Sequence, residues 1–344
     1  MTLKSLTILA ATGLFLAACA TPVEPEPVAA PEWHLAIHGG AGVILRETMT
    51  PEEEAAYTAG LNEALAAGAA VLREGGSAVD AVQAAVIPME NNPLFNAGYG
   101  AVFAANGTHE LDASIMDGRD RDAGAVAGVM RVKNPILAAR AVMDNSEHVM
   151  FAGPGADQFA DAQGLEMVVN TYFDTDRRRQ ALDRLLESRE GKPLAALRTD
   201  EERFGTVGAV AIDSAGNLAA ATTTGGMTAK AAGRVGDAPL IGAATYAENG
   251  VCAVSATGHG EYFIRVGVAK TICDRVKFED ESVGVAAAVA LGEVADLGGD
   301  GGVIVIDGAG NVDFVFNSPG MYRGEISASG SSTAIFREPA AGDE

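Results

Sequence analysis

Residues 206–212 and 218–223 are apolar runs of strand character on either side of the turn tetrapeptide Ser214-Ala215-Gly216-Asn217. Residues 303–306 and 312–316 repeat the arrangement around Gly308-Ala309-Gly310-Asn311. Two hairpins are not a repeat architecture, but they constrain the fold. Hairpin strands pair antiparallel, and the helical stretches of this chain also come in pairs instead of alternating with single strands. That pattern favours mixed sheets layered with helices over a simple alternating parallel sheet.

The first helix is signalled by the capping box Thr50-Pro51-Glu52-Glu53, with Tyr57, Leu61, Leu65 and Leu72 at helical spacing and Gly75-Gly76 as its stop. Ser77-Ala78-Val79-Asp80 opens a second, carrying Val82 and Val86 as far as Pro88. Before them, residues 33–37 read as a strand running into the turn His38-Gly39-Gly40-Ala41-Gly42. Such a turn can cradle phosphate or pack closely against another backbone. The Rossmann spacing and the Walker lysine are both missing, which favours packing. Residues 101–105 and 110–116 predict a hairpin about Asn106-Gly107, and 123–130 a further strand. Asn134-Pro135 opens a helix through Met143, followed by a strand over 148–152 and a helix over 155–162. Residues 241–246 and 251–255 read as strands, and 262–276 and 282–291 as helices.

The ends and the middle of the chain differ in kind. Lys4, an apolar run over 6–16 and Leu16-Ala17-Ala18-Cys19 resemble a bacterial lipoprotein signal peptide (1–18) with lipidation at Cys19; an ordinary secretory signal is the alternative. Residues 19–32, with Pro22, Pro25, Pro27 and Pro31, form a tether. Either reading exports the protein, and the lipid-anchored one places it in the periplasm, held to a membrane only through Cys19. Nothing in the sequence pairs the remaining Cys252 and Cys273, and a disulfide scaffold is not expected. Residues 170–205 carry Arg177-Arg178-Arg179 and other mixed charges with few apolar residues, predicting an exposed linker prone to proteolysis in which Leu182, Leu185 and Leu186 permit a short helix. With Asp+Glu 46 against Lys+Arg 24 and a net charge of −22, the chain lacks the basic surface that nucleic-acid binding needs.

Chemistry narrows to threonine. The histidines 34, 38, 109, 148 and 259 are scattered without zinc spacing, and no Gly-x-Ser-x-Gly elbow is present. Thr206 stands after Gly205 at the end of the linker. If the bond before it broke, its new α-amine, with an ordinary pKa of about 8, would be the base that its hydroxyl requires. A buried strand threonine is the plainer alternative.

Further motifs decide between them. Gly205-Thr206-Val207-Gly208-Ala209-Val210-Ala211, Thr223-Thr224-Gly225-Gly226-Met227 and Gly233-Arg234-Val235-Gly236-Asp237 resemble the isoaspartyl peptidase/L-asparaginase family, the plant-type asparaginases among N-terminal nucleophile hydrolases. In the same order come His38 to Gly42, Pro93 to Gly98, Glu110 to Ala113, Thr257-Gly258-His259-Gly260-Glu261, and Phe316 to Arg323, so the resemblance spans about His34 to Arg337. It implies an α+β fold, a four-layer αββα sandwich, self-cleaved into an α subunit (33–205) and a β subunit (206–344), and a dimer of such heterodimers. It implies hydrolysis of β-aspartyl dipeptides and L-asparagine to release L-aspartate, with no catalytic cofactor. Thr206 would be the nucleophile, with Gly205-Thr206 the cleavage site, and Thr224 would contact it. Arg234 would take the substrate carboxylate and Asp237 its ammonium; Thr257 and Gly258 would hold the oxyanion. Asn96 would reach the centre from the other half, Gly40 would back the nucleophile, and His259 would be structural. A structural sodium would rest on the backbone carbonyls of Met89, Glu90, Asn92, Phe95, Ala97 and Tyr99. Glycosylasparaginase is the nearest alternative, but Gly205 and Val207 flank the threonine where that group carries aspartate and isoleucine. A lipid-tethered, inactive binding homologue is the other; the presence of Thr206, Thr224, Arg234 and Asp237 argues against it.

Overall fold

The computed structural model describes residues 32–189 and 205–337. The signal peptide, Cys19, nearly all of the tether and residues 190–204 of the linker lie outside that range. In chain order the elements are β1 (His34–Gly42), α1 (Pro51–Arg73), α2 (Ala78–Glu90), β2 (Leu111–Asp117), β3 (Ala123–Val129), α3 (Pro135–Asn145), β4 (Met150–Ala152), α4 (Gly153–Ala162) and α5 (Asp176–Arg189). Then come β5 (Val207–Ile212), β6 (Leu218–Thr224), β7 (Thr245–Glu248), β8 (Cys252–Gly258), α6 (Gly260–Val266), α7 (Val268–Glu279), α8 (Val283–Asp296), β9 (Gly301–Asp307), β10 (Val312–Phe316), β11 (Gly320–Ser327) and β12 (Gly330–Phe336).

The strands form two sheets, one of eight in the order β12-β11-β1-β5-β6-β2-β3-β4 and one of four in the order β10-β9-β8-β7. Helices α1, α2 and α3 cover the outer face of the large sheet, and α7 and α8 that of the small one. The inner faces meet, giving the four layers α, β, β, α. Strand alternation divides the core. Leu35, Ile37, Val207 and Ala209 face α1 and α2 with Leu61, Leu65, Val82 and Val86, while Ala36, Val210 and Ile212 face the small sheet with Ala253, Ile304 and Ile306. Central strand β5 is therefore buried on both faces, which is why it reads as an uninterrupted apolar run. Burying each large aliphatic side chain contributes roughly 1.5–3 kcal/mol. Among the described residues, no helix is long and apolar enough to cross a membrane.

Several local expectations are corrected. The chain at 38–42 does not turn after the first strand; β1 continues through Gly42 with a register shift between His38 and Gly40. Pro88 does not end α2, which runs on to Glu90 although the proline lacks the N–H that would bond the Ala84 carbonyl. Asn106-Gly107 does make a tight turn, with Gly107 N–H donating to Ala104 O, but residues 101–105 form no strand. Their backbone is claimed elsewhere: Val102 N–H donates to Asn96 Oδ1 and Phe103 O accepts from Ala229 N–H. The helix predicted over 262–276 is broken by Gly267, in the left-handed region at φ 65°. Residues 170–189 are folded, with Phe173 fully buried and α5 laying Leu182 and Leu185 on Phe103 and Ala229. Cys252 and Cys273 form a disulfide between β8 and α7, their Cα atoms 5.6 Å apart. The pair β11–β12, absent from the sequence reading, completes one edge of the large sheet.

Candidate active site

Thr206 immediately precedes β5 and is buried. Neighbouring β6 ends at Thr224, and the two side chains meet: Thr206 Oγ donates to Thr224 Oγ at 3.1 Å. Thr224 Oγ also accepts from Gly226 N–H at 3.0 Å, so a glycine turn orients it. On the other side, His38 Nδ1 lies 3.0 Å from the carbonyl oxygen of Thr206. Burial pushes the His38 pKa down to about 3, against a smaller opposing effect of this bond, so the ring is neutral. A carbonyl only accepts, so Nδ1 carries the hydrogen.

The junction itself is bare backbone. A Cβ on Gly40 would stand 2.6 Å from Gly205 Cα, and one on Gly205 would stand 2.5 Å from Asn96 Cβ. Gly40 is also at φ 110°, in the region that favours glycine. Asn96 ties the halves together: its Nδ2 donates to Gly226 O at 2.7 Å, and its own carbonyl accepts from Gly225 N–H at 3.0 Å. It therefore positions the turn behind Thr224, and its side chain bonds Gly226 and Val102 and not the Thr206 hydroxyl.

Thr257 and Gly258 end β8 on the facing sheet, opposite Gly302 and Gly301. Ala41 N–H lies 3.4 Å from Thr257 Oγ, linking that end to the glycine stretch of β1. Arg234 and Asp237 converge on Gly260, where a Cβ would stand 2.7 Å from Asp237 Oδ1 and 3.0 Å from Arg234 Nη2. They are not an ion pair of their own. Arg234 is bidentate to Glu261, through Nε to Oε1 and Nη2 to Oε2, both at 2.9 Å. Asp237 Oδ2 is buried with no hydrogen-bond partner, and burial pushes the carboxyl up to about 7 against the pull of Arg234. A buried acceptor beside a guanidinium fork suits an amino-acid head group, whose ammonium and carboxylate would satisfy both. Arg234 and Glu261 line a cavity of about 300 Å³.

Glu261 was quoted in the sequence only as part of a motif, and its bond to Arg234 becomes visible in three dimensions. Two further groups went unnoticed as side chains. Lys230 Nζ donates to Glu110 O at 2.7 Å and lies 3.9 Å from Asp112, a buried pair behind the Gly226 turn. Glu90 was counted for its carbonyl, yet its carboxylate accepts from Thr223 Oγ, Ile136 N–H and Asn134 Nδ2, while burial pushes it up to about 7.

No group of three His, Cys, Asp or Glu among the described residues could hold a metal ion, so a cation would need backbone oxygens. Those of Asn92, Pro93 and Phe95 crowd the bare Cα of Gly100, and a Cβ there would clash with Phe95 O. Met89, Asn92 and Ala97 carbonyls each accept one backbone N–H, leaving a lone pair on each. This oxygen-rich loop is compatible with the sodium that the resemblance implies.

The chain is similar to known proteins along most of its length. The family model described as asparaginase matches residues 31–335. An isoaspartyl peptidase of Salmonella typhimurium is 48% identical over 311 residues, 88% of this chain and 98% of that protein. The isoaspartyl peptidase of Escherichia coli is 48% identical over 310 residues, 88% and 96% of the two chains. The human isoaspartyl peptidase/L-asparaginase is 42% identical over 275 residues, 79% of this chain and 86% of that one.

Proposed function

The chain belongs to the asparaginase family, and from that premise we propose how its own residues carry out the hydrolysis of isoaspartyl peptides and L-asparagine. The observation that carries the reading is the 3.1 Å bond from Thr206 Oγ to Thr224 Oγ beside a Gly205 packed closely against Gly40 and Asn96. Thr206 Oγ attacks the Gly205 carbonyl carbon, and the peptide C–N bond breaks as the Thr206 nitrogen takes a proton. Water then hydrolyses the resulting ester, leaving the Gly205 carboxylate and a free α-amine on Thr206. In turnover that amine takes the hydroxyl proton as Oγ attacks the side-chain carbonyl of the substrate. It returns the proton to the leaving nitrogen, which departs as an amino acid or as ammonia, and water releases L-aspartate. Thr224 orients the hydroxyl, Thr257 and Gly258 stabilise the oxyanion, and Arg234 and Asp237 hold the head group once Arg234 leaves Glu261.

The same proposal extends to a structural sodium on the carbonyls of Met89, Glu90, Asn92, Phe95, Ala97 and Tyr99, to a dimer of αβ heterodimers, and to export with a lipid anchor at Cys19. The Cys252–Cys273 disulfide supports an oxidising compartment. The test is a denaturing gel with N-terminal sequencing of the smaller fragment. It should begin at Thr206, and a single band after long incubation would refute the mechanism. Ammonia release from L-asparagine measured beside cleavage of β-Asp-Leu ranks the substrates.

A further inference from the structure

Beneath the reacting groups lies a polar row that the mechanism above does not use. In the large sheet Ser114, Thr222, Gly208 and His38 stand side by side in register, and Thr245 pairs with Ser255 in the small one. The five side chains, His38, Ser114, Thr222, Thr245 and Ser255, are all fully buried between the sheets. They are connected end to end. From the Thr206 carbonyl the path runs to His38 at 3.0 Å, to Ser255 Oγ at 2.9 Å, and to Thr222 Oγ at 2.7 Å. It continues to Thr245 Oγ at 2.6 Å, to Ser114 Oγ at 2.7 Å, and to the carbonyl of Ala238 at 2.6 Å. Ala238 follows Asp237, so the path joins the nucleophile to the substrate clamp. Gly208 makes the passage possible, since a Cβ there would collide with Ser255 Oγ and with His38 Nε2.

The hydrogen count gives this row a specific property. Both ends are carbonyl oxygens, which only accept. With a neutral imidazole each of the side chains has one hydrogen to give, and Ser255 Oγ has a competing acceptor in the Ala221 carbonyl at 3.1 Å, so the path has at least one hydrogen fewer than it has links. With Nδ1 of His38 donating to the Thr206 carbonyl, the weakened link lies beyond the imidazole, and it moves along the hydroxyls as the bonds at either side strengthen. Hydrogen-bonded chains of this kind polarise one another and respond as units.

We propose that His38, Ser255, Thr222, Thr245 and Ser114 are positioning residues that act as one unit, fixing Thr206 relative to the loop that carries Asp237. The inference rests on the roles given to those two residues above. Same-face neighbours two positions along the strands are Thr206, Thr224 and Thr257, so the row is the floor on which the reacting groups stand.

The test uses the full-length protein, with self-cleavage timed on gels and β-Asp-Leu hydrolysis resolved into kcat and KM. Thr222→Val keeps shape and removes the hydroxyl; it should slow cleavage, lower kcat and raise KM together, by about tenfold in kcat/KM, the effect of leaving a buried partner unsatisfied. Thr222→Ser restores the hydroxyl and should return all three toward wild type. Equal behaviour of the two variants would overturn the proposal. Ser114→Ala and Ser255→Ala then cut opposite ends. In a coupled unit the double variant loses no more than the worse single one, whereas losses that multiply mark independent contacts and overturn it. This cycle decides the matter if Thr222→Val does not fold. A wild-type chain that neither cleaves nor hydrolyses would instead refute the functional reading, and this inference with it.

Discussion

Thr206 Oγ donates to Thr224 Oγ across 3.1 Å, joining the first residue ahead of one central strand to the last residue of its neighbour. Removing that partner while keeping the shape, as in Thr224→Val, should lower kcat by about 10²-fold or more, in the range seen for loss of one oriented polar group at a reacting centre. Thr224→Ser should retain most activity. Steady-state kinetics on β-Asp-Leu decide it; a Val variant at wild-type rate would remove Thr224 from the machinery.

Gly40 faces Gly205 with no space for a methyl group. Gly40→Ala should therefore slow self-cleavage far more than it lowers the melting temperature. Time courses on denaturing gels, run beside thermal melts, separate the effects. Cleavage at the normal rate would show that the junction has slack that the packing does not reveal.

Asp237 makes stability depend on pH in a definite sense. Burial raises its folded pKa to about 7, above the unfolded value, so the folded chain keeps a proton that the unfolded chain releases. Stability from this group is intact at acid pH, falls as pH rises from about 4 to about 7, and stays reduced above that. In a Thr206→Ala background, Asp237→Asn should raise the melting temperature at pH 8 and change it little at pH 4. The same substitution in the active chain should raise KM, since the amide cannot match the substrate ammonium.

The disulfide closes a segment with a sequence separation of 21 between β8 and α7. Replacing both Cys252 and Cys273 by serine should reduce the unfolding free energy by roughly 2–4 kcal/mol. Denaturant titrations with and without reductant measure it, and reductant should leave the double variant unaffected.

What could be read from the sequence followed the strength of local signals. The capping box of α1, the run of β5 and the turns after β5 and β9 are determined by neighbouring residues and appear as read. The site motifs were legible because each is short and contiguous. The failures share another cause. Helix α5 reads as linker because only Leu182 and Leu185 of its charged surface find the core, through Phe103, far away in sequence. Residues 101–105 read as strand because nothing local says that Asn96 and Ala229 take their backbone bonds. β11 and β12 alternate small and polar residues at a sheet edge, a weak period. The disulfide and the buried hydroxyl row are products of tertiary register, although Ser114, Thr222 and Ser255 were visible as polar residues inside apolar strands.

Thr206 is carried by the eight-stranded sheet, Thr257 and Gly258 by the four-stranded one. The reaction is thus assembled across the interface between the two sheets. A slide of one sheet over the other by about 0.5 Å is enough to take catalytic groups out of productive alignment, and what opposes it is the second core, which crosses the interface through Ala36, Val210 and Ile212, with the bonds from His38 and Thr222 to Ser255. Heat that loosens the contact between the sheets should then silence this protein while the first core, between the large sheet and α1 and α2, remains closed.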